Sequence, residues 1–473
     1  MSRRWKALTA LLAPVLLLGL LTAVQSPAQA STAQFRGVNW ADQRDNFVNG
    51  VLYPSGLTAS DTYSSAAAVA DRVVGQLYSI TGANTVRIPI NEPTVANYWG
   101  TYTGAIDTAL TKGNVIFAYW AHTGGRPPNM TAFNQMWDKV VAKYGGNPNA
   151  YFEVINEPHG YSTTDLNNMY YGWLNRYSSL PRGRVILDGA GLAQNVPAVG
   201  NDSRLNGTLL AVHDYSFFAG YESETQWADH IASYIGNHAA RTIATEWGGA
   251  MSPGTKNNVY FDAIDYNIPS GSYMSDYVRG VSAKLRSLGM GSVYWPGLRD
   301  GDWYSLTSRS GQTLSLTNPS GLQRLRYAWG LGDGGSTEVE IRNIGTGWYV
   351  DGLGRTSAST AGQGAGGTST SQRWIVENTG SYVRFRNVVS GLYLDGLGSS
   401  SNGADAGQRA GSSATSQQWT VVTGKSRGND VRIRNRATGL YLDGMGRASG
   451  TPNLGQWGDS NSLNQQWRIV AAG

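Results

Sequence analysis

The chain has 473 residues, enough for two or three domains of roughly 150 residues each. It is rich in glycine (61 residues) and tryptophan (16), and a hydrophobic fraction of 41% with only 15% charged residues argues against general disorder. The absence of cysteine excludes disulfides, thiol catalysis and thiolate zinc sites, and glycines without a three-residue period exclude collagen.

The first 30 residues have the pattern of a secretory signal peptide. Arg3, Arg4 and Lys6 precede an apolar run from Ala7 to Leu21, and an Ala-Gln-Ala sequence at 28–30 supplies a cleavage site. The alternative is a membrane anchor, but the apolar run is shorter than the ~20 residues of a membrane span. The arginine pair is compatible with twin-arginine export and with the ordinary secretion route. We therefore expect a secreted, extracellular protein with no membrane partner.

The charge of the chain gives little evidence for further partners. The formal net charge of +5 includes the three basic residues of the leader, so the rest of the chain is nearly neutral. It has no basic arm or lysine-rich stripe, and we expect no nucleic-acid partner. With five histidines, no His-x-x-x-His pair and no cysteine, we also expect no metal and no cofactor. We expect a monomer.

Eight apolar, β-branched runs alternate with helix-like stretches in the first two thirds of the chain. The predicted strands are 35–40, 85–90, 115–120, 151–156, 185–189, 209–213, 242–246 and 292–295. Helix-like stretches include 66–80, 131–144, 164–177 and 275–288. This order predicts an α/β fold, a (β/α)₈ TIM barrel over residues 31–333. Catalytic residues of such barrels lie at the C-terminal ends of the strands.

Polar and aromatic side chains lie in or just beyond the C-terminal part of six of these predicted strands. They are Arg87, His122, Asn156, Glu157, His213, Tyr215, Glu246 and Trp295. One glutamate after a strand is usually a salt-bridging or solvated residue. Two glutamates after separate strands, with these neighbours, fit the pair of carboxylates that glycoside hydrolysis requires. His159 is interpreted as a loop or subsite residue. Sugar platforms or packing at the barrel rim are equally open for five tryptophans: Trp40, Trp99, Trp120, Trp247 and Trp303. Of these, Trp40 and Trp120 are taken as candidate sugar platforms in the substrate-binding site.

Residues 334–473 contain three copies of a repeat of about 45 residues. Each copy has a Gly-x-Tyr-x-Asp-Gly motif followed by a Gln-x-Trp motif. The aspartates are Asp351, Asp395 and Asp443, and the tryptophans are Trp374, Trp419 and Trp467. Short alternating strands separated by Gly/Ser-rich turns predict an all-β domain with pseudo-threefold symmetry, joined to the barrel by a flexible stretch at 330–336.

On these motifs, residues 334–473 resemble the ricin-type β-trefoil lectins, also called carbohydrate-binding module family 13. The resemblance implies that the three Gln-x-Trp tryptophans build the shared core. It also implies that sugar binding needs a carboxylate and a stacking aromatic in the same repeat. The stacking position falls on Gly364 and Arg409 in the first two repeats, which leaves those repeats weak or purely structural. The third repeat keeps a full set, Asp443, Trp457 and Asn461. The disulfide cysteines of the family are absent here.

Residues 31 to about 330 resemble glycoside hydrolase family 5, because the eight strand-end residues above all match its active-site positions. The resemblance implies that Glu157, in Val-Ile-Asn-Glu-Pro, is the acid/base. It implies that Glu246, in Ala-Thr-Glu-Trp-Gly, is the nucleophile of a retaining reaction. Arg87 and Tyr215 are then suited to donate hydrogen bonds to the nucleophile. The resemblance also implies that Asn156 binds the sugar 2-hydroxyl and that Trp295 is the floor of the −1 subsite. It implies that His122 and His213 orient the carboxylates.

The whole chain resembles the secreted bacterial endo-β-1,6-galactanases, which cut the galactan side chains of plant arabinogalactan-proteins. The supporting motifs are Gly-Val-Asn-Trp, Asn-Glu-Pro-His-Gly, Glu-Trp-Gly-Gly and the trefoil repeat. We therefore expect a β-linked galactan as the polysaccharide substrate. The alternatives are another family 5 specificity, such as β-glucanase or β-mannanase, and an inactive two-domain lectin.

Overall fold

The computed structural model describes residues 32–45, 48–217, 219–334, 338–366, 369–450 and 452–472. The predicted signal peptide at 1–30 lies outside the described residues. Within the described ranges, no helix combines the length and the apolar character that crossing a bilayer requires.

Eight parallel strands form a closed barrel, which confirms the predicted fold class. They are β1 (Arg36–Trp40), β2 (Thr85–Ile90), β3 (Asn114–Tyr119), β4 (Ala150–Glu153), β5 (Val185–Asp188), β6 (Leu209–Asp214), β7 (Thr242–Trp247) and β10 (Ser292–Leu298). Each strand pairs with the next, and β10 closes the barrel by pairing in parallel with β1. Two short hairpins accompany the barrel, β8 (Gly254–Lys256) with β9 (Val259–Phe261), and β11 (Thr307–Ser310) with β12 (Thr313–Leu316).

Helices surround the barrel strands. They are α1 (Tyr63–Thr81), α2 (Glu92–Asn97), α3 (Trp99–Lys112), α4 (Met130–Tyr144), α5 (Thr163–Arg176), α6 (Ala190–Ala193), α7 (Val196–Gly200), α8 (Glu224–Ile235), α9 (Tyr273–Ser287) and α10 (Pro319–Ala328). The first begins at a capping box formed by Thr62 and Ser65 and ends at Gly82, whose φ of 78° suits glycine. Strand residues alternate between two cores. Val115 and Phe117 pack in the core shared with the helices, whereas Ile116 belongs to a separate cluster.

The C-terminal part is an all-β domain, in which the described residues between 338 and 472 form thirteen antiparallel-paired strands. They are β13 (Glu338–Asn343), β14 (Tyr349–Asp351), β15 (Ser359–Thr360), β16 (Gly362–Gly364), β17 (Arg373–Thr379), β18 (Tyr382–Asn387), β19 (Tyr393–Asp395), β20 (Gly407–Arg409), β21 (Trp419–Thr423), β22 (Val431–Asn435), β23 (Tyr441–Asp443), β24 (Gly455–Trp457) and β25 (Trp467–Ala471). The repeat is visible in the hydrogen bonds. The buried indoles of Trp374, Trp419 and Trp467 each donate to the carbonyl that precedes the repeat aspartate, at 3.0–3.1 Å.

The segment between β9 and α9 docks the barrel onto the trefoil. Ile268, from this segment, belongs to the hydrophobic core of the trefoil. Asp262 forms ion pairs with Arg427 at 3.2 Å and with Arg468 at 3.3 Å. The backbone N–H of Asp262 also donates to the side chain of Asn429 at 2.8 Å. The two domains are therefore joined by apolar packing and by paired charges as well as by the chain itself.

Candidate active site

The two glutamates predicted from the strand ends face one cavity at the C-terminal end of the barrel. The cavity has a volume of about 410 Å³ and includes Glu157, Glu246, Asn156, Tyr215 and Trp295 in its lining. One oxygen of each glutamate and one ring nitrogen of His213 lie within 4.8 Å of one another. Two carboxylates from separate strands are thus brought close together at a concave surface.

Glu246, in β7, is held by one side chain from β2 and one from the residue that follows β6. Its Oε1 accepts a hydrogen bond from Arg87 Nη1 at 2.5 Å, and its Oε2 accepts one from the Tyr215 hydroxyl at 2.7 Å. Burial and the negative charges of Glu246 and Glu157 hold the pKa of Tyr215 well above its usual value, so this hydroxyl stays a donor. The position of Glu246 is therefore fixed by two donors.

Arg87 is the cation at the centre of the site. It is buried, and it also donates to both oxygens of Glu153 at 2.6 and 2.7 Å. Burial opposes the charged guanidinium, but Glu153 and Glu246 outweigh that effect and raise the pKa of Arg87. The arginine consequently carries a permanent positive charge between two buried carboxylates.

The chain makes a sharp turn at Glu157, and this turn aims the side chain into the cavity. Strand β4 ends at Glu153, three residues before the predicted end. Beyond it, the N–H of Asn156 donates to the carbonyl of Tyr119 at 2.9 Å, and the N–H of Glu157 donates to Asp188 Oδ2 at 3.0 Å. Glu157 has a φ of 49°, which is uncommon for a residue with a side chain. These bonds hold the turn in place.

Asn156 is oriented by the same arginine. Its Oδ1 accepts from Arg87 Nη2 at 2.5 Å. Since the carbonyl oxygen of the amide is occupied, the NH₂ group of Asn156 is the part that can donate to a ligand in the cavity.

His213 bridges the two glutamates. Its Nδ1 lies 3.0 Å from Glu157 Oε1 and 3.6 Å from Glu246 Oε2, and its Nε2 lies 2.9 Å from Thr245 Oγ1. Burial alone would lower the pKa of His213. The charge of Glu246, the hydrogen bond with Glu157 and the charge of Asp188 outweigh it and raise the pKa to about 9. At neutral pH the ring is therefore an imidazolium that donates to Glu157.

The same three side chains are spaced closely enough to bind a metal ion, which is the alternative to an acid/base site. Glu157, His213 and Glu246 each offer one ligand atom within 4.8 Å of the others. However, a metal-binding histidine is neutral, and the raised pKa of His213 favours its charged form. The positive charge of Arg87 also already compensates Glu246. The donor set fits an acid/base site better than a metal site.

Not every predicted residue takes part in the cavity as expected. Trp295 lines it and packs against Trp120, with ring centroids 5.7 Å apart. Trp40 and Trp120 are only 1% and 2% exposed, so the prediction that they are sugar platforms is wrong. The Trp40 indole instead donates to the carbonyl of Ser55. Trp247 is likewise buried, Trp99 and Trp303 pack against the barrel core, and the side chain of His122 lies outside the described part of the structure.

Three buried partners of the site were missed by the sequence reasoning, namely Glu153, Asp188 and Thr245. Each contacts a predicted residue, as described above, without being part of a motif. A signal existed for Glu153, because it is the only charged residue in the otherwise apolar strand β4. His159 lines the cavity, as do Phe217 and Tyr304, which the sequence did not single out.

The predicted sugar site of the trefoil is only partly assembled. Asp443 and Trp457 lie on the paired strands β23 and β24, and Tyr441 stands directly opposite Trp457. Since Asp443 is two residues from Tyr441, its side chain and that of Trp457 share one face. Trp457 is 40% exposed, whereas Asp443 is buried and accepts a hydrogen bond from the N–H of Met445 at 2.7 Å. Asn461 is exposed in the following loop.

Two family models match the chain. Residues 53–275 match the cellulase (glycosyl hydrolase family 5) model, and residues 326–409 and 415–473 match the ricin-type β-trefoil lectin domain-like model. No match was found among curated proteins.

Solved structures with similarity to single domains include three carbohydrate-active proteins. An endo-β-1,4-glucanase of Xanthomonas axonopodis pv. citri, as a triple mutant, is 15% identical over 62% of this chain and 98% of its own, with a TM-score of 0.44. A ricin B-like lectin of Macrolepiota procera in complex with lactose is 22% identical over 30% of this chain and 99% of its own, with a TM-score of 0.27. An exo-β-1,3-galactanase of Clostridium thermocellum is 23% identical over 30% of this chain and 31% of its own, with a TM-score of 0.27. The two family matches, taken together, show a chain that combines a glycosyl hydrolase family 5 domain with a ricin-type β-trefoil lectin-like domain.

Proposed function

We propose that the protein is a secreted, retaining endo-glycoside hydrolase that cleaves the β-1,6-galactan side chains of arabinogalactan-proteins. The observation that carries the hydrolase assignment is the pair Glu157 and Glu246, with oxygens within 4.8 Å across a concave site. Retaining glycosidases hold their carboxyl groups about 5–5.5 Å apart, whereas inverting enzymes need about 6.5–9.5 Å to admit water between them. The short separation supports the retaining route.

In the first step, a carboxylate oxygen of Glu246 attacks the anomeric carbon as the bond to the leaving oxygen breaks. Glu157 gives its proton to that oxygen, so the leaving sugar departs as an alcohol and a glycosyl ester remains on Glu246. Because Oε1 of Glu157 accepts from His213, the transferable proton is carried on its other oxygen. His213 thus orients the acid without transferring the proton itself.

In the second step, water attacks the anomeric carbon from the side that the alcohol left, and the bond between that carbon and Glu246 breaks, so that the sugar is released and the carboxylate of Glu246 is restored. Formation of the ester removes the negative charge of Glu246, and Glu157, now ionised beside the imidazolium of His213, takes a proton from the attacking water. Asn156 is placed to donate to the sugar 2-hydroxyl, a contact that strengthens in the transition state, and Trp295 is the floor of the −1 subsite.

The choice of β-1,6-galactan is supported by the resemblance of the motifs and by the pairing of the barrel with a lectin-like domain. The experiment is product analysis of the purified enzyme on β-1,6-galactan, β-1,3-galactan, mannan and β-glucan. Release of β-1,6-galacto-oligosaccharides, first formed as β-anomers in proton NMR, is the expected result. Activity on mannan or glucan alone would overturn the galactan assignment. Binding without hydrolysis of any of the four would favour a two-domain lectin.

A further inference from the structure

A second cavity lies beside the active site, at the junction of the two domains. This junction cavity has a volume of about 340 Å³ and shares the Phe217 side chain with the active-site cavity. Tyr221 and Tyr273 of the barrel contribute to its walls, and Thr423 and Gly424 of the trefoil close one side. The two cavities therefore meet at the Phe217 side chain, and residues of both domains line the junction cavity.

The trefoil side of this cavity is held in place. Gly271 lies so close to Val421 that a Cβ added to the glycine would stand 1.9 Å from the valine side chain. In addition, the N–H of Gly428 donates to the carbonyl of Tyr260 at 3.0 Å, two residues before the docking residue Asp262. The junction cavity is thus a built feature of the packed pair of domains.

Lys256, at the end of β8, contributes an ammonium group to the lining of the junction cavity. Its Nζ is shielded from solvent, and no residue in the described ranges accepts a hydrogen bond from it. The ammonium lies 4.4 Å from the centroid of the Phe217 ring, and burial lowers the pKa of Lys256 to about 8. A shielded ammonium group whose N–H donors have no acceptor raises the free energy of the folded protein. A carboxylate would accept from these donors in charge-assisted hydrogen bonds.

We propose that the junction cavity is a subsite for an acidic sugar unit, a uronic acid carried on the polysaccharide near the cleavage point. Its carboxylate pairs with Lys256, while Phe217 and Tyr221 contact the apolar faces of the ring. Glu222 also lines the cavity, and its carboxylate suits the hydroxyl groups of a sugar. This inference rests on the proposed hydrolase function for its biological sense, but the binding of the acidic sugar is testable without it.

The first test measures kcat/KM on two substrates that differ only in charge, a neutral β-1,6-galacto-oligosaccharide and the same oligosaccharide ending in glucuronic acid. The wild type is expected to prefer the acidic substrate, and Lys256→Met to lose about 10-fold to 100-fold on that substrate alone. Lys256→Arg should restore part of the preference. Lys139→Met, which removes an exposed lysine of α4, is the matched control and should behave as wild type. Equal effects of Lys256→Met on both substrates would overturn the proposal.

The second test separates this proposal from the hydrolase assignment. Binding of methyl β-glucuronide and methyl β-glucoside to the Glu246→Gln variant is followed by ligand-observed NMR, with and without Lys256→Met. Binding of the glucuronide that requires Lys256 supports the subsite even if no polysaccharide is hydrolysed. Indifference to charge would overturn the subsite even if hydrolysis of neutral galactan is fully established.

Discussion

The barrel and the trefoil both place carboxylates next to turns, but they hold them in different ways. In the trefoil, Asp351, Asp395 and Asp443 accept from the backbone N–H two residues ahead, at 2.6, 2.7 and 2.7 Å. In the barrel, Glu246 accepts from Arg87 of β2 and from Tyr215, which directly follows β6. The trefoil aspartates thus shape local turns, whereas the position of the barrel glutamate depends on the closed fold.

The difference shows why a repeated motif and a reactive site need different evidence. The residues two positions after the three aspartates, Leu353, Leu397 and Met445, all have φ between 54° and 56°, so the bond recurs with the turn. The aromatic partner does not recur, because Trp457 is present in the third repeat only. In the trefoil, therefore, the side chain that breaks the repeat is the one to test for sugar binding, rather than the ones that keep it.

The largest expected effect is on catalysis. Glu246→Gln should lower kcat by at least about 10⁴-fold on every substrate, because no glycosyl ester can form. Glu157→Gln should lower kcat by about 10²-fold to 10⁴-fold on polysaccharide and much less on an aryl glycoside, whose leaving group needs no proton. Steady-state kinetics on both substrates distinguish the two roles.

Asp229→Asn is the control for these variants. It removes an exposed carboxylate of α8 that is 3.6 Å from Lys284 and far from the proposed chemistry, so its kinetics should equal those of wild type. If Glu246→Gln retained hydrolysis of polysaccharide, the assignment of the nucleophile would be wrong. The same loss on both substrates for Glu157→Gln would contradict its role as the acid.

The next effect is on stability and tests the comparison directly. Arg87→Met leaves Glu153 and Glu246 buried without their cation and should cost about 3–5 kcal/mol in the free energy of unfolding. Asp395→Asn keeps an acceptor for the N–H of Leu397 and should cost about 1 kcal/mol or less. Denaturant unfolding measures both. Equal costs would mean that the central arginine does not compensate the barrel carboxylates.

A third effect depends on pH. The pKa of His213 is raised to about 9 in the folded protein, against about 6.5 in the unfolded chain. The charged ring therefore adds stability that is fully present below pH 6.5 and is lost as the pH rises through 9, at most on the order of 3 kcal/mol. His213→Gln should remove that part of the slope when unfolding free energies are measured from pH 6 to pH 9.5. If His213→Gln left the pH dependence of the unfolding free energy unchanged, a group other than His213 would be responsible for it.

Much of this architecture could be predicted, because the signals are local. Apolar runs identified all eight barrel strands, and five of the predicted strand-end residues line one cavity. The direction of a side chain at a strand end is less local. Trp40 and Trp120 are buried because neighbouring segments cover them, which a strand pattern does not reveal. Glu153 is a single charged residue in an apolar strand, and the strand pattern does not show that it pairs with Arg87, because only the closed barrel brings the two side chains together.

The contact between the domains was beyond prediction for the same physical reason. Ile268 is one apolar residue in a loop of mixed composition, and nothing in its neighbourhood marks it as part of the trefoil core. The sequence predicted a flexible joint at 330–336, but the docking is made by a segment that precedes this joint by about 60 residues. Such a contact depends on two separately folded surfaces, which no periodicity within either domain encodes.

The smallest expected effect concerns Trp457, and it tests whether the trefoil binds sugar through the residue that breaks its repeat. Trp457→Ala should weaken binding to insoluble galactan by about 10-fold, because a stacking indole contributes roughly 1 kcal/mol beyond its buried area. Hydrolysis of short soluble oligosaccharides should not change, since Trp457 lines neither the active-site cavity nor the junction cavity. Arg409→Ala alters the equivalent position of the second repeat and serves as the matched control in the same pull-down assay. If both variants bound galactan as wild type does, the trefoil would act through another surface. If Arg409→Ala alone weakened binding, the second repeat would be the working site, and the exposed indole would not mark function in this domain.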